Sequence, residues 1–260
     1  MFRGLNPPSS STAGERTACD ALVGQYLSAL RALGLIRTER TTRALLESMF
    51  RGVEFKERRM LDIGGGTGIQ SFYAAVMGAR EVVCLEPEAA GSAKGVSGAF
   101  ERIRAALPKL PISLDRRTIE QFGDPVGFDV ILMNASINHI DEDACIRLLE
   151  DQKARAAFRR VFAHIGTLAP VGARLIIFDC ARHNFFAALG LKNPIAPTIE
   201  WHKHQAPEVW SGLLEEAGFR DPKVSWQPLF RFGKLGELIS GNKAAAYFLK
   251  SAFQLEMTKV

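Results

Sequence analysis

The sequence has few cysteines, and they are far apart. Its 260 residues contain four, at Cys19, Cys84, Cys145 and Cys180. No two of them form the CxxC pair typical of zinc and redox sites, which argues against both a zinc site and a disulfide framework. Cys84 and Cys180 lie inside apolar runs, so we expect buried thiols there.

Long apolar runs are also missing. No run reaches the roughly 18–20 residues that a membrane-spanning helix needs, so we expect no membrane span. The N-terminal residues include one arginine with no apolar run behind it, so we expect no secretory signal and a cytoplasmic protein. Residues 1–17 are polar enough to predict a disordered lead-in.

The basic charge is not concentrated anywhere. The formal net charge is +5, yet the basic residues occur as scattered pairs with acids close by. A nucleic-acid footprint would need a basic tail, or a basic stripe with interleaved aromatics. We interpret the charge as a mild attraction for anionic ligands, and we expect no nucleic-acid partner.

From Arg59 onward, strand-like and helix-like segments alternate. Five short apolar runs have the length of strands, at residues 60–63, 81–85, 111–114, 128–133 and 174–178. Three amphipathic segments between them have the helical period, at residues 68–79, 89–107 and 151–168. Strands separated by helices pair in parallel through right-handed crossovers. This pattern predicts an α/β fold with a Rossmann-like, doubly wound sheet.

Other segments flank this alternation. Residues 18–57 are helical in character and predict a cap that packs on the outside of the domain or covers its ligand. Residues 180–206 have no simple period, so we interpret them as an acceptor-binding or lid insertion. A helix at 207–217 and strand-like segments at 223–227 and 246–255 bring the sheet to seven strands. We find no repeat and no linker, which predicts one domain over 18–260.

The most informative motif follows the first strand. Glycine permits positive φ and close approach of a ligand to the backbone, and a helix start offers unpaired N–H groups. A dinucleotide site would need a third glycine at position 69, where this chain has Ile69. The pattern Asp-x-Gly-x-Gly-x-Gly fits instead, with Asp62, Gly64, Gly66 and Gly68, and Gly65 inside it. An acid in that place can face a ligand's ammonium, directly or through water.

A second acid stands at the end of the second strand. Glu86, followed by Pro87, comes 22 residues after Gly64, where a carboxylate can accept hydrogen bonds from both hydroxyls of a ribose. With these two motifs the sequence resembles the class I S-adenosylmethionine (SAM)-dependent methyltransferase family over residues 58–258. The resemblance implies S-adenosyl-L-methionine as cofactor, a mainly parallel seven-stranded sheet and methyl transfer as the activity.

The resemblance also implies further cofactor contacts. Pro87 would lie beside the ribose, Thr118 and Ile119 beside the adenine, and Asn134 after the fourth strand. Many members carry Asp where this chain has Thr118, so adenine recognition is expected to depend more on backbone. Enzymes of the family that methylate nucleic-acid amino groups read Asn/Asp-Pro-Pro-Tyr/Phe at residues 134–137. This chain reads Asn-Ala-Ser-Ile there, which argues against such acceptors.

Polar residues after strands four and five are candidates for the acceptor side. His139 is the first choice for a general base, because imidazole exchanges protons near neutral pH, and His183 is its competitor. Either histidine can instead serve only to order its loop. We predict acceptor contacts at Asn138, Trp201, His202 and His204.

A metal site is not expected. Some O-methyltransferases of the family hold Mg²⁺ with acids after strands four and five, and here Asn134 replaces one such acid, so that only Asp179 remains. The His202-x-His204 pair does not by itself make a zinc site.

The sequence therefore predicts a SAM-dependent methyltransferase that acts on an O or N atom of a small-molecule or glycan-type acceptor. Two alternatives stay open: an RNA or protein methyltransferase, and a noncatalytic SAM-binding module. The acceptor and the oligomeric state are not specified.

Overall fold

The computed structural model describes residues 13–88, 95–227 and 241–260. The chain packs as two compact units, Met1–Arg116 and Arg117–Val260. The single domain expected over 18–260 stays a prediction. In the described residues, no helix has both the length and the apolar character needed to cross a membrane.

In residues 13–88 and 95–116, the first unit has three strands joined by helices. Its elements in chain order are α1 (Ala13–Ala32), α2 (Glu39–Met49), β1 (Arg59–Ile63), α3 (Ile69–Val76), β2 (Glu81–Leu85), α4 (Val96–Ala106) and β3 (Ile112–Asp115). β1 pairs in parallel with β2, and β2 in parallel with β3. Every residue of β1 is buried, as expected for a strand covered by helices on both faces.

Four strands lie in the described part of the second unit. Its elements are β4 (Val130–Asn134), a 3-10 helix (Ile137–His139), α5 (Glu142–Arg147), α6 (Gln152–Thr167), β5 (Arg174–Cys180), α7 (Phe185–Ala188), a second 3-10 helix (Trp201–Lys203), α8 (Pro207–Glu216), β6 (Phe219–Trp226), α9 (Lys243–Phe248) and β7 (Ala252–Lys259). β4 and β5 are parallel, whereas β7 is antiparallel to both β5 and β6.

The strand order of the sheet is β3-β2-β1-β4-β5-β7-β6. The pairs β1–β2, β2–β3 and β4–β5 are parallel and the two pairs made by β7 are antiparallel, so the sheet is mixed and mainly parallel. Helices connect the parallel strands, as right-handed crossovers require. The prediction of a seven-stranded, Rossmann-like α/β fold is confirmed.

Helix α1 packs on α3 in the first unit. The buried Tyr26 hydroxyl donates to the Ile69 carbonyl at 2.5 Å, and Cys19 Sγ lies 3.7 Å from Met77 Sδ. Ile69 is the first residue of α3. The predicted helical cap thus supports the start of the helix that follows the glycine motif.

Several sequence predictions need correction. Residues 246–255 were expected to form one strand, but α9 runs to Phe248 and β7 begins only at Ala252. The reason is local: Asn242 caps α9 by accepting from the Ala245 N–H, and three consecutive alanines favour helix over strand. β6 begins at Phe219, earlier than the predicted 223.

Other predicted boundaries differ less from the observed ones. Helix α1 begins at Ala13, inside the predicted lead-in over 1–17, and residues 1–12 lie outside the described ones. The first residues of the helix predicted at 89–107 also lie outside them, and α4 begins at Val96. Cys84 is buried as predicted, whereas Cys180, the last residue of β5, is only half-buried.

Candidate functional site

The glycine motif forms a tight loop between β1 and α3. The N–H groups of Gly64 and Gly65 both donate to the Leu85 carbonyl, at 2.8 and 3.3 Å, and the Gly68 N–H donates to the Gly65 carbonyl at 2.9 Å. Gly64, Gly66 and Gly68 have φ of 68°, 56° and 79°. This left-handed backbone favours glycine, so the motif is required by the loop's own shape.

Gly65 is needed for a different reason, which is space. A Cβ there would lie 2.5 Å from Cys84 Sγ and 3.0 Å from Asp62 Cγ. The loop therefore lies directly on the ends of β1 and β2. Burial raises the pKa of the Cys84 thiol well above its usual range, so this sulfur stays a neutral packing group.

Asp62 is fully buried at the end of β1. Its Oδ2 accepts a hydrogen bond from Ser71 Oγ at 2.6 Å, and Oδ1 has no partner among the described residues. Burial raises the pKa of the carboxyl to about 7, the nearby negative Glu86 adds to the rise, and the Ser71 bond opposes it. A buried carboxylate oxygen without a partner suits a cationic hydrogen-bond donor, such as the ammonium predicted here.

Glu86 is also buried, one residue beyond β2. Its Oε2 accepts from the Gly66 N–H at 2.9 Å, and its Oε1 from the Glu88 N–H at 2.9 Å. Each carboxylate oxygen has a second lone pair, so two more hydrogen bonds can be accepted, the number that a ribose diol would donate. Pro87, between the two acids, is exposed.

Two supporting residues were missed by the sequence reasoning. Ser71 holds Asp62, and Glu88 accepts from the Gly95 N–H at 2.8 Å and from the Ser97 hydroxyl. These hydrogen bonds lower the pKa of Glu88. Ser71 lies one helical turn beyond the glycine loop, a position that a search for a polar partner to Asp62 would have found. The contact of Glu88 leaves no pattern in the sequence.

The predicted adenine positions form a turn in the second unit. The Thr118 carbonyl accepts from the N–H groups of Gln121 and Phe122 at 3.1 and 3.0 Å. Thr118 is half-buried and Ile119 is buried. Their contact with adenine stays a prediction.

The segment after β4 contains the first choice for a base. Asn134 ends β4 half-buried, and Asn138 is buried with its Oδ1 unpartnered in the described part of the chain. The side chain of His139 is 50% exposed, and its Nδ1 lies 2.6 Å from Glu142 Oε1. Glu142 also pairs with Lys203 at 3.0 Å, and both partners lower the pKa of its carboxyl.

His183, the competing base, is exposed in the insertion. Its carbonyl accepts from Ser251 Oγ at 2.8 Å. The next residue, Asn184, is buried and donates to the carbonyls of Tyr247 and Leu249 at 3.1 and 3.0 Å. Asn184 thus fastens this end of the insertion to the end of α9 and to the residue that follows it, a structural role that the sequence did not indicate.

The structure brings together two residues that the sequence treated separately. His204 Nδ1 lies 3.0 Å from Oδ1 of Asp179, which is buried at the end of β5. Oδ2 of Asp179 has no partner in the described ranges. Of the other predicted acceptor contacts, Trp201 is half-buried and His202 is exposed. The pairing spans 25 residues, so no local spacing could reveal it.

The roles assigned to these residues stay predictions. The described residues contain no group of three or more His, Cys, Asp or Glu side chains that could hold a metal ion. The expectation that the protein uses no metal likewise remains untested.

Comparison with known proteins identifies the fold. No protein-family model and no curated protein matches the chain. Among solved structures, a SAM-dependent methyltransferase from Aquifex aeolicus is 13% identical, with 84% of this chain and 89% of that chain covered and a TM-score of 0.54. One from Mesorhizobium loti is 14% identical, with coverages of 84% and 98% and a TM-score of 0.54.

A third similar structure carries ligands. The phosphoethanolamine N-methyltransferase 2 of Haemonchus contortus, in complex with phosphomonomethylethanolamine and S-adenosylhomocysteine, is 15% identical with a TM-score of 0.54. The alignment covers 90% of this chain and 56% of that one. At these identities the likeness establishes the fold: the chain has the architecture of the SAM-dependent methyltransferases.

Proposed function

We propose that the protein is a SAM-dependent methyltransferase that acts on an O or N atom of a small-molecule or glycan-type acceptor. The observation that carries the proposal is how the glycine loop uses its N–H groups. Gly64, Gly65 and Gly68 donate to carbonyls within the protein, and Gly66 donates to Glu86. A pyrophosphate needs such N–H groups free, whereas SAM has no pyrophosphate.

The charges around the loop support the same cofactor. Asp62 and Glu86 are both buried carboxyl residues beside it, and two acids disfavour a phosphate while they favour a cation. Asp62 would face the ammonium of SAM, Glu86 would accept from the ribose hydroxyls, and Thr118 and Ile119 would lie beside the adenine. When bound, SAM supplies a methyl group activated by a positively charged sulfur.

The topology of the sheet supports the proposed binding of an acceptor. Asp62 and Asp179 each lie at the carboxyl end of a parallel strand, β1 and β5, the place where open α/β sheets bind ligands. Methyl transfer needs the acceptor atom held in line with the methyl group, and positioning supplies much of the rate. The Haemonchus protein, which has this fold, is in complex with phosphomonomethylethanolamine, and this supports a small molecule as the acceptor.

Isothermal calorimetry with S-adenosylhomocysteine and with NAD tests the cofactor. The wild type should bind S-adenosylhomocysteine and not NAD. Glu86→Gln should weaken binding about 10- to 100-fold, because hydrogen bonds to a charged group contribute about 1.5–3 kcal/mol. Glu101→Gln, on the exposed side of α4, is the matched control and should bind like wild type. Micromolar NAD binding, or equal affinity for Glu86→Gln and wild type, would overturn the cofactor assignment.

A further inference from the structure

We propose that His204 is the general base that receives the acceptor's proton, and that Asp179 is the residue that positions it. The inference rests on the methyl transfer proposed above and identifies which of the candidate histidines serves it. It is carried by the hydrogen bond between His204 and the buried Asp179, together with the way the segment around His204 is anchored.

The Asp179 bond fixes the tautomer of the imidazole. An ionised carboxylate only accepts hydrogen bonds, so a neutral His204 must carry its hydrogen on Nδ1, which lies 3.0 Å from Asp179 Oδ1. The lone pair is then on Nε2. Within the described residues Nε2 has no hydrogen-bond partner, so it is available to a substrate.

The residues on both sides of His204 are tied to one residue of α5. Cys145 Sγ donates to the Lys203 carbonyl at 3.2 Å, and Gln205 Nε2 donates to the Cys145 carbonyl at 2.5 Å. The His204 side chain is only 13% exposed. The ring is therefore held in place both through its backbone and through Asp179. A proton acceptor requires such precise positioning.

The other four histidines lack this arrangement. His164 Nε2 lies 2.7 Å from the Phe122 carbonyl, and His183 and His202 are exposed. His139 does have a carboxylate partner, Glu142, but both side chains are substantially exposed, at 50% and 39%. An exposed pair is screened by water and orients its members weakly. His204 is the histidine whose carboxylate partner is buried.

The proposed step couples methyl transfer to proton transfer. The acceptor oxygen or nitrogen forms a bond to the methyl carbon while the bond between that carbon and sulfur breaks. The acceptor's proton passes to His204 Nε2, and the imidazolium that forms is stabilised by Asp179. The products are the methylated acceptor and S-adenosylhomocysteine, and the imidazolium then releases its proton to water.

Nitrogen NMR tests the arrangement without needing an acceptor. In ¹⁵N-labelled protein at pH 8, long-range ¹H–¹⁵N correlation spectra of the imidazole rings should show His204 protonated on Nδ1 and unprotonated on Nε2. The His204 signal is assigned by its loss in His204→Gln. Asp179→Asn should abolish this preference, because an amide can donate as well as accept. His202→Gln is the matched control and should leave the His204 signal in place. An Nε2–H tautomer in the wild type, or an unchanged signal in Asp179→Asn, would refute the proposal.

Kinetics test the chemical role. We would follow S-adenosylhomocysteine release with SAM and a panel of catechol, phenol and primary amines. For each acceptor that the wild type methylates, His204→Gln should lower kcat about 10²–10⁴-fold with unchanged affinity for S-adenosylhomocysteine, while Glu101→Gln, on the exposed side of α4, keeps its rate. Full rate in His204→Gln, or loss in His139→Gln instead, would overturn the assignment. A wild type that fails to bind S-adenosylhomocysteine refutes the proposed function, and the NMR result is interpretable in either case.

Discussion

Replacing Asp62 by Asn should make the stability of the protein depend less on pH. Asp62 is fully buried, with one carboxyl oxygen bonded to Ser71 and the other unpartnered in the described residues. Burial raises its pKa from 3.8 to about 7. The folded state therefore binds this proton more tightly than the unfolded state. The free energy of unfolding should fall as pH rises from about 4 to about 7, and the loss should be complete above pH 7.

The magnitude follows from the pKa shift. A shift of about 3 units corresponds to about 4 kcal/mol, at about 1.4 kcal/mol per unit. Most of it, about 3 kcal/mol, is lost between pH 4.5 and pH 8.5. The asparagine amide carries its own cost, since a buried N–H without a partner costs about 1–3 kcal/mol. That cost is the same at both pH values, so it cancels when the two are compared.

Urea unfolding of the wild type and Asp62→Asn at pH 4.5 and pH 8.5 measures the effect. The free energy of unfolding of the wild type, relative to the variant, should drop by about 2–4 kcal/mol from the lower to the higher pH. Glu101→Gln removes an exposed carboxyl and is the control, so its difference from wild type should be nearly constant. Parallel pH profiles for wild type and Asp62→Asn would show that the carboxyl is not destabilised by burial.

Three further predictions concern the glycine loop and its support. Gly65→Ala should destabilise the protein, because the added methyl group has no room. Gly98→Ala, at the exposed third residue of α4, has open space for the methyl group and should stabilise the protein by up to about 1 kcal/mol; urea unfolding of both variants measures the difference. Tyr26→Phe, which loses the buried bond to Ile69, should cost about 0.5–1.5 kcal/mol in the same assay, and an unchanged midpoint would contradict this. SAM should bind up to about tenfold more tightly at pH 8 than at pH 6 as Asp62 ionises, and calorimetry on Asp62→Asn should show no such dependence.

The parts of the molecule that sequence predicted are those with local signals. β2 was predicted with its observed bounds because a short apolar run ends at Glu86, and the glycine loop was found because its left-handed backbone restricts residue choice. The fold could be predicted because strands and helices alternate along the chain, and this alternation is typical of a parallel sheet.

The parts that sequence missed depend on contacts between distant residues. The pairing of Asp179 with His204 and the anchoring of both neighbours of His204 on Cys145 join segments 25 to 60 residues apart. Periodicity carries no information about such contacts. The start of β7 was predicted too early for a local reason, because the helix that Asn242 caps includes the first residues of the apolar run.

The place of β7 in the sheet bears on how the chain folds during synthesis. β7 is the last strand in chain order, yet it lies between β5 and β6. Until β7 emerges from the ribosome, β6 lacks the strand with which it pairs. β5 likewise lacks its antiparallel neighbour, in which Phe253 lies opposite Asp179. The glycine loop between β1 and α3 is held by hydrogen bonds to Leu85 and Glu86, which are synthesised much earlier. We therefore expect a ribosome-bound chain to order the glycine loop first, and the carboxylate that positions His204 only once translation passes β7.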